Sequence, residues 1–266
     1  MLIIIKEIIL NKEKLILVSN DDGVHAKGLQ TLIEVASRFG KVVVVAPAEA
    51  MSGMSHAITI KTPLRVKRLQ KSDSLEIYAC QGTPVDCVKL ALNQLLHGKK
   101  PDLVLSGINH GSNSSSSVVY SGTMAVAMEG CINQIPSVGF SLLSYDPDAD
   151  FTAAGTVVEK VVANIFENGL TDGVCLNVNI PYLEFDKLKG IKVCRQAKGL
   201  WKEEFVKRTD PHQGEYYWLT GYYLNLEEDE DETDEYALAH DFVSIVPIQI
   251  DLTSYQSIPE INTWKF

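Results

Sequence analysis

Five short runs rich in apolar residues punctuate the first two-thirds of this chain: Leu15 to Val18, Val42 to Val45, Leu103 to Leu105, Val138 to Leu142 and Val174 to Ile180. Strands that are apolar on both sides need cover on both sides, which is the situation of a parallel sheet sandwiched between helices. The intervening segments carry helical signals. Leu29, Leu32, Ile33, Ala36 and Phe39 recur at helical spacing, with Gly40 as a stop. Thr83-Pro84 offers an N-cap followed by proline in the first turn, and Val88, Ala91, Leu92 and Leu95 then fall on one face. Another helix is expected near Thr123, and a further one around Thr152 to Phe166. The expected fold is α/β, a Rossmann-like doubly wound and mostly parallel sheet. From about Gly190 the pattern changes to aromatic alternation (Tyr216 to Tyr223), an acidic run, a strand at Val243 to Pro247 and an irregular tail. This reads as a C-terminal β-hairpin and arm appendage that reaches a second subunit. One domain is expected, with a core of about 13–185 and the hairpin and oligomerisation arm at about 190–266.

Composition narrows the function. The net charge is −10, but the run Glu227 to Glu235 holds eight acids and one Thr, so the rest of the chain stands at only −2. The run reads as a solvated loop held open by self-repulsion and is assigned no chemistry. Without a basic patch, a nucleic-acid polymer is not expected as the main partner. Five cysteines, odd in number and without CxxC spacing, read as buried free thiols of a reducing compartment. The opening MLIIIKEIIL is interrupted by Lys6 and Glu7 and has no signal-peptide pattern. It is also too short to cross a bilayer, which takes roughly 20 apolar residues. A cytoplasmic protein with no membrane partner is expected; residues 1–12 receive no functional reading.

In an open parallel sheet, ligands bind beyond the C-terminal ends of the strands. Here the first run delivers Asn20-Asp21-Asp22-Gly23 to that rim. The second delivers the loop Pro47 to His56 with Ser52-Gly53, and the third delivers Ser106-Gly107-Ile108-Asn109. Adjacent carboxylates repel each other unless a cation intervenes, and a hard divalent ion such as Mg²⁺ or Mn²⁺ takes oxygen ligands. Asp21, Asp22, the Ser52 hydroxyl and the Asn109 amide oxygen form such a set. Asp21 or Asp22 could instead cap the following helix or make a turn with Gly23. The glycine- and serine-rich stretch Gly107 to Gly122 leads into the helix near Thr123, where free N–H groups and the Ser121 and Thr123 hydroxyls suit a phosphate. A mobile serine-rich surface loop is the alternative. His25, His56 and His110 lie near these loops, each more often a structural hydrogen-bonder than a catalyst. Lys27, Lys89 and Arg65 could touch a phosphate, but nothing in their spacing selects them. Neither GxGxxG nor GxxxxGK[ST] occurs, no GxSxG elbow is present, and no His/Cys spacing suits zinc.

The same stretches carry a family resemblance. LILVSNDDGVHAKGL (15–29), VVVVAP with SGMSHAITI (42–60), GTPVDCVKLAL (82–92), PDLVLSGINHGSN (101–113), VVYSGTMAVAMEG (118–130), IPSVGFSL (135–142) and FVSIVPIQIDLT (242–253) resemble, in order, the SurE family of 5′/3′-nucleotidases. The resemblance implies one divalent metal per subunit on Asp21, Asp22, Ser52 and Asn109. It also implies a phosphate pocket from Asn113, Ser121, Gly122 and Thr123, and hydrolysis of nucleoside monophosphates. Homodimers or homotetramers with an exchanged C-terminal segment are implied as well. The chain departs from the family pattern at Ala48 to Met51, at Ser114 to Ser117 and at Lys27, which bears on base preference and on the charge of the rim. Asp21 and Asp22 are the expected catalytic residues, for water-mediated attack. Two other readings stand beside this: an aspartyl-phosphate phosphatase, which an isolable phospho-enzyme would reveal, and a catalytically silent nucleotide sensor, which would be expected to lack a ligand.

Overall fold

A computed structural model describes residues 14–202 and 204–266; the expectation for residues 1–12 falls outside them. Nine strands form one sheet in the order β3-β4-β2-β1-β5-β6-β7-β13-β8. Its parallel centre holds β1 (Leu15–Ser19), β2 (Lys41–Pro47), β4 (Leu75–Cys80), β5 (Leu103–His110), β6 (Ser137–Leu142) and β7 (Val174–Ile180). At one edge β3 (Val66–Lys71) runs antiparallel to β4, and at the other β13 (Val243–Gln249) runs antiparallel to β7, with the short β8 (Ile191–Val193) beyond it.

The sheet sorts its side chains by parity, as pleating requires. Ile16, Val18, Val42, Val44, Leu103 and Leu105 enter one core with Leu29, Leu32 and Ile33 of α1 (Lys27–Ala36) and Val157, Val158, Val161 and Val162 of α4 (Thr152–Asn168). Leu17, Val43, Val45 and Val104 face the opposite way, onto Cys87 and Val88 of α2 (Pro84–Leu90) and Val126 of α3 (Gly122–Ile132). The doubly wound expectation therefore holds, and the Thr83-Pro84 start forms a full capping box with Asp86. All five cysteines are free and buried.

The region after residue 190 carries the expected hairpins, and part of it also joins the main sheet. Its β8 and β13 belong to the main sheet, while only β9 (Gly199–Lys202) with β12 (Tyr222–Asn225), and β10 (Phe205–Thr209) with β11 (Glu215–Leu219), form separate two-stranded ribbons. The acidic run is exposed across Glu228 to Glu232, as expected of a solvated loop, and is anchored at its two ends. Glu227 accepts from Arg195 and from the Lys198 N–H, and Asp234 opens helix α5 (Asp234–Ala239) with its carboxylate fully buried on the N–H groups of Ser115 and Ala197. Chain reversal toward the sheet brings these acids onto backbone donors that compensate their burial.

Helix α1 lies directly on β5. A β-carbon at Gly28 would sit 2.0 Å from the Ile108 carbonyl oxygen. Gly28→Ala is expected to lift the helix off the strand and destabilise the protein by about 3 kcal/mol, the upper part of the range for overpacked cores. Thermal unfolding measures this, and an unchanged melting temperature would show that the helix does not rest on Ile108.

Candidate functional site

The C-terminal ends of β1, β2 and β5 open into a cleft of about 630 Å³. Asp21, Asp22, Ser52, Asn109, Asn113 and Ser121 all line it, so three loops far apart in sequence meet on one rim. Backbone bonds stitch the loops together: Met51 N–H donates to the Asp21 carbonyl (2.7 Å), Val24 N–H to the Pro47 carbonyl (2.8 Å) and Ser55 N–H to the Tyr120 carbonyl (3.1 Å). The loop bearing Ser52 is thus held to both the Asp21 loop and the turn before α3.

Asp21 is only 3% exposed. Burial first, and then the neighbouring Asp22 charge, push its carboxyl up to about 6, against the pull of the Thr123 hydroxyl, which donates to Asp21 Oδ1. Asp22 is half-buried and likewise raised, mainly by burial; the His110 N–H donates to its Oδ2 (3.2 Å) and pulls it back. No Lys or Arg ion pair reaches either carboxylate among the described residues. Asn109 spends its Nδ2 on the Gly111 carbonyl (2.8 Å), which leaves Oδ1 as the atom it can offer to a cation. Among the described residues no three His, Cys, Asp or Glu side chains gather as a metal group. The donor set here is two carboxylates plus neutral oxygens, a hard combination that fits Mg²⁺ or Mn²⁺ rather than zinc.

Of the expected phosphate residues, Asn113 and Ser121 reach the cleft, whereas Gly122 and Thr123 are not on its wall. Gly122 packs its backbone against Asp21, so closely that a β-carbon there would lie 2.7 Å from Asp21 Cβ. The Thr123 hydroxyl, fully buried, donates to Asp21 Oδ1 from behind the carboxylate. Ser121 caps α3 by accepting from the Met124 N–H (2.9 Å). The serine-rich stretch is ordered as a 3₁₀ turn over Ser115–Tyr120, with Ser115 buried.

Asn113 is fixed by a buried polar ladder. Its N–H donates to Asn179 Oδ1 (2.8 Å), its Nδ2 to Ser141 Oγ (2.8 Å), and its carbonyl accepts from Asn177 Nδ2 (2.8 Å). Asn177 and Asn179 stand two apart on one face of β7, a polar pair inside an apolar strand that is the one sequence signal for them. Of the histidines, only His110 lines the cleft, edge-on to Phe151 with ring centroids 5.0 Å apart. His56 and Lys89 both pair with the buried Glu129 (3.1 and 2.9 Å), Lys27 pairs with Asp148, and His25 and Arg65 lie off the cleft wall.

The protein is thus a Rossmann-like α/β protein with adjacent carboxylates, amide and hydroxyl groups gathered at its strand ends, where such folds bind ligands. The family model described as Survival protein SurE matches residues 16–203, and the chain belongs to the SurE family. It is 52% identical over 259 residues to a protein of Christiangramia forsetii named 5′-nucleotidase SurE, covering 96% of this chain and 99% of that one. A Bacteroides fragilis protein of the same name is 45% identical over 255 residues, with 96% and 99% covered. The crystal structure of the SurE protein from Aquifex aeolicus superimposes with a TM-score of 0.81 at 38% identity, covering 93% of this chain and 98% of that one.

Proposed function

We propose that this chain is a 5′-nucleotidase, a metal-dependent phosphomonoesterase that hydrolyses nucleoside 5′- and 3′-monophosphates to nucleoside and phosphate. The observation that carries the reading is the meeting of Asp21, Asp22, Ser52, Asn109, Asn113 and Ser121 in one cleft of a chain whose relatives bear that name. Asp21, Asp22, Ser52 and Asn109 would hold one Mg²⁺ or Mn²⁺. Such an ion supplies Lewis-acid polarisation of a phosphoryl oxygen and acidifies water. Asn113 and Ser121, polar side chains of the cleft wall, would hydrogen-bond the phosphoryl oxygens. Asp22, the more open of the two acids and with one oxygen committed to His110, orients the attacking water and accepts its proton. Asp21, backed by Thr123, fixes the negative end of the site.

Phosphate release from a panel of nucleotides with Mg²⁺ or Mn²⁺ tests the reading. Release from nucleoside monophosphates, abolished by a chelator, is expected. A panel without any release would overturn it.

The assembly is a homodimer or homotetramer joined through the C-terminal arm. Beyond β13, Leu252 (94% exposed), Tyr255, Trp264 (57%) and Phe266 (100%) leave an apolar tail uncovered, a pattern typical of interfaces. Truncation after Asp251 is expected to shift the protein to a smaller species in light scattering, and a monomeric mass for the intact chain would refute this. A cytoplasmic setting agrees with the five free thiols, and no helix among the described residues is long and apolar enough to cross a membrane.

A further inference from the structure

The oxygen donors account for one part of the cleft wall; the rest of it is chemically different. Tyr145, from the loop after β6, and Trp201, from β9, line the same cleft together with Leu219 and Thr220 at the end of β11. Among the described residues no Lys or Arg lines it, and Glu204 is the one charged side chain there besides Asp21 and Asp22.

The Tyr145 ring lies on the backbone of Gly111, where a β-carbon would come within 2.3 Å of it, yet the residue is 79% exposed and so keeps ring surface available. Trp201 packs edge-on against Tyr223 across the β9–β12 ribbon, with centroids 6.2 Å apart. The Tyr223 hydroxyl is bonded to Ser115 Oγ, and Ser115 is further fixed by the Ala197 carbonyl and the Asp234 carboxylate. The ribbon that carries Trp201 is therefore tied to the same 3₁₀ turn that delivers Ser121 to the phosphate end. This tie sets the distance from the indole to the phosphate donors, and it gives Asp234, the buried acid of the 227–235 run, a task.

Resting on the nucleotidase reading, we propose that Trp201 and Tyr145 are specificity-determining residues that seat the nucleobase by stacking. A planar aromatic ring is favoured over an aliphatic alcohol because an aromatic face attracts another π-system, whichever base it is. A cleft of about 630 Å³ falls within the range of pockets that enclose ligands of this size.

The test compares AMP with ribose 5-phosphate, which keeps the sugar phosphate and lacks the base. Trp201→Ala and Tyr145→Ala, alone and combined, are expected to lower kcat/KM for AMP at least tenfold, mainly through KM. The same variants should stay within twofold of wild type on ribose 5-phosphate, and Trp201→Phe and Tyr145→Phe should recover most of the loss on AMP. Equal loss on both substrates, or no loss on AMP, overturns the proposal. Calorimetric AMP binding with Mg²⁺ separates this from failure of the hydrolase reading. If wild type releases no phosphate but AMP affinity falls tenfold or more in the alanine variants, the base seat stands and the hydrolase does not. Unchanged AMP affinity in those variants overturns the base seat.

Discussion

Asp21→Asn is expected to abolish hydrolysis while making the metal-free protein more stable. The two effects have one cause. Asp21 is buried beside Asp22 and, among the described residues, no basic side chain pairs with it, so in the metal-free protein its charge is a liability. With its carboxyl raised from 3.8 to about 6, the native state holds a proton that the unfolded chain has already released across that interval. Stability therefore falls as pH rises through the window from about 3.8 to 6, and the penalty is fully present above it. Asn keeps the shape and the acceptor for Thr123, and it removes the charge. Metal-free Asp21→Asn should thus melt above metal-free wild type at pH 8, and this difference should close as pH falls below 4. Added Mg²⁺ or Mn²⁺ reverses the order, because an ion bound only by the native state stabilises it by mass action. Wild type should gain several degrees and the variant little, with turnover lost by on the order of 10³-fold, the scale of losing a major electrostatic group. Thermal melts at two pH values, with chelator and with metal, decide the matter. A metal-free variant much less stable than wild type at pH 8 would make Asp21 a turn or cap residue instead.

The features that could be read from the sequence were those written in local periodicity or in strand-end position. Consecutive apolar residues at Val42 to Val45 required cover on both faces, and the parity of Val42/Val44 against Val43/Val45 in the two cores is that requirement met. The carboxylates, Ser52 and Asn109 could be gathered because parallel strands all point their ends at one rim. Strand β3, VKRLQK, is not legible in the sequence because it is an exposed edge strand with no apolar face to mark it. Trp201 and Tyr145 are single aromatics with no motif, and only the return of the chain through β9 brings the indole to the cleft. The exposed middle of the acidic run is legible from composition, but its anchored end is not, because composition reports charge and not the backbone N–H groups of Ser115 and Ala197 that receive Asp234. A helix start at Thr123 is legible in the sequence, but the direction of its hydroxyl depends on a carboxylate 102 residues upstream.

That last difference has a measurable consequence. Thr123→Val replaces the hydroxyl by a methyl group at a fully buried position, with little change in shape. Asp21 then loses the donor to Oδ1, and a buried carboxylate deprived of a hydrogen bond costs about 1–3 kcal/mol. Left without that anchor, the carboxylate can swing, and displacement of a catalytic group by about 1 Å is enough to lower turnover on the order of 10²-fold. Thr123→Ser keeps the hydroxyl and forfeits only a methyl group, at roughly 1 kcal/mol of stability, so its turnover should remain within a few-fold of wild type. Because Thr123 stands behind Asp21 and off the cleft wall, the valine variant should need more Mg²⁺ for half-maximal activity, with KM for the nucleotide little changed. A phosphate donor would leave the metal requirement alone and raise KM. Metal titrations of the wild type, serine and valine forms therefore separate the two roles, and an unaltered Mg²⁺ requirement with raised KM in the valine form would return Thr123 to the phosphate pocket.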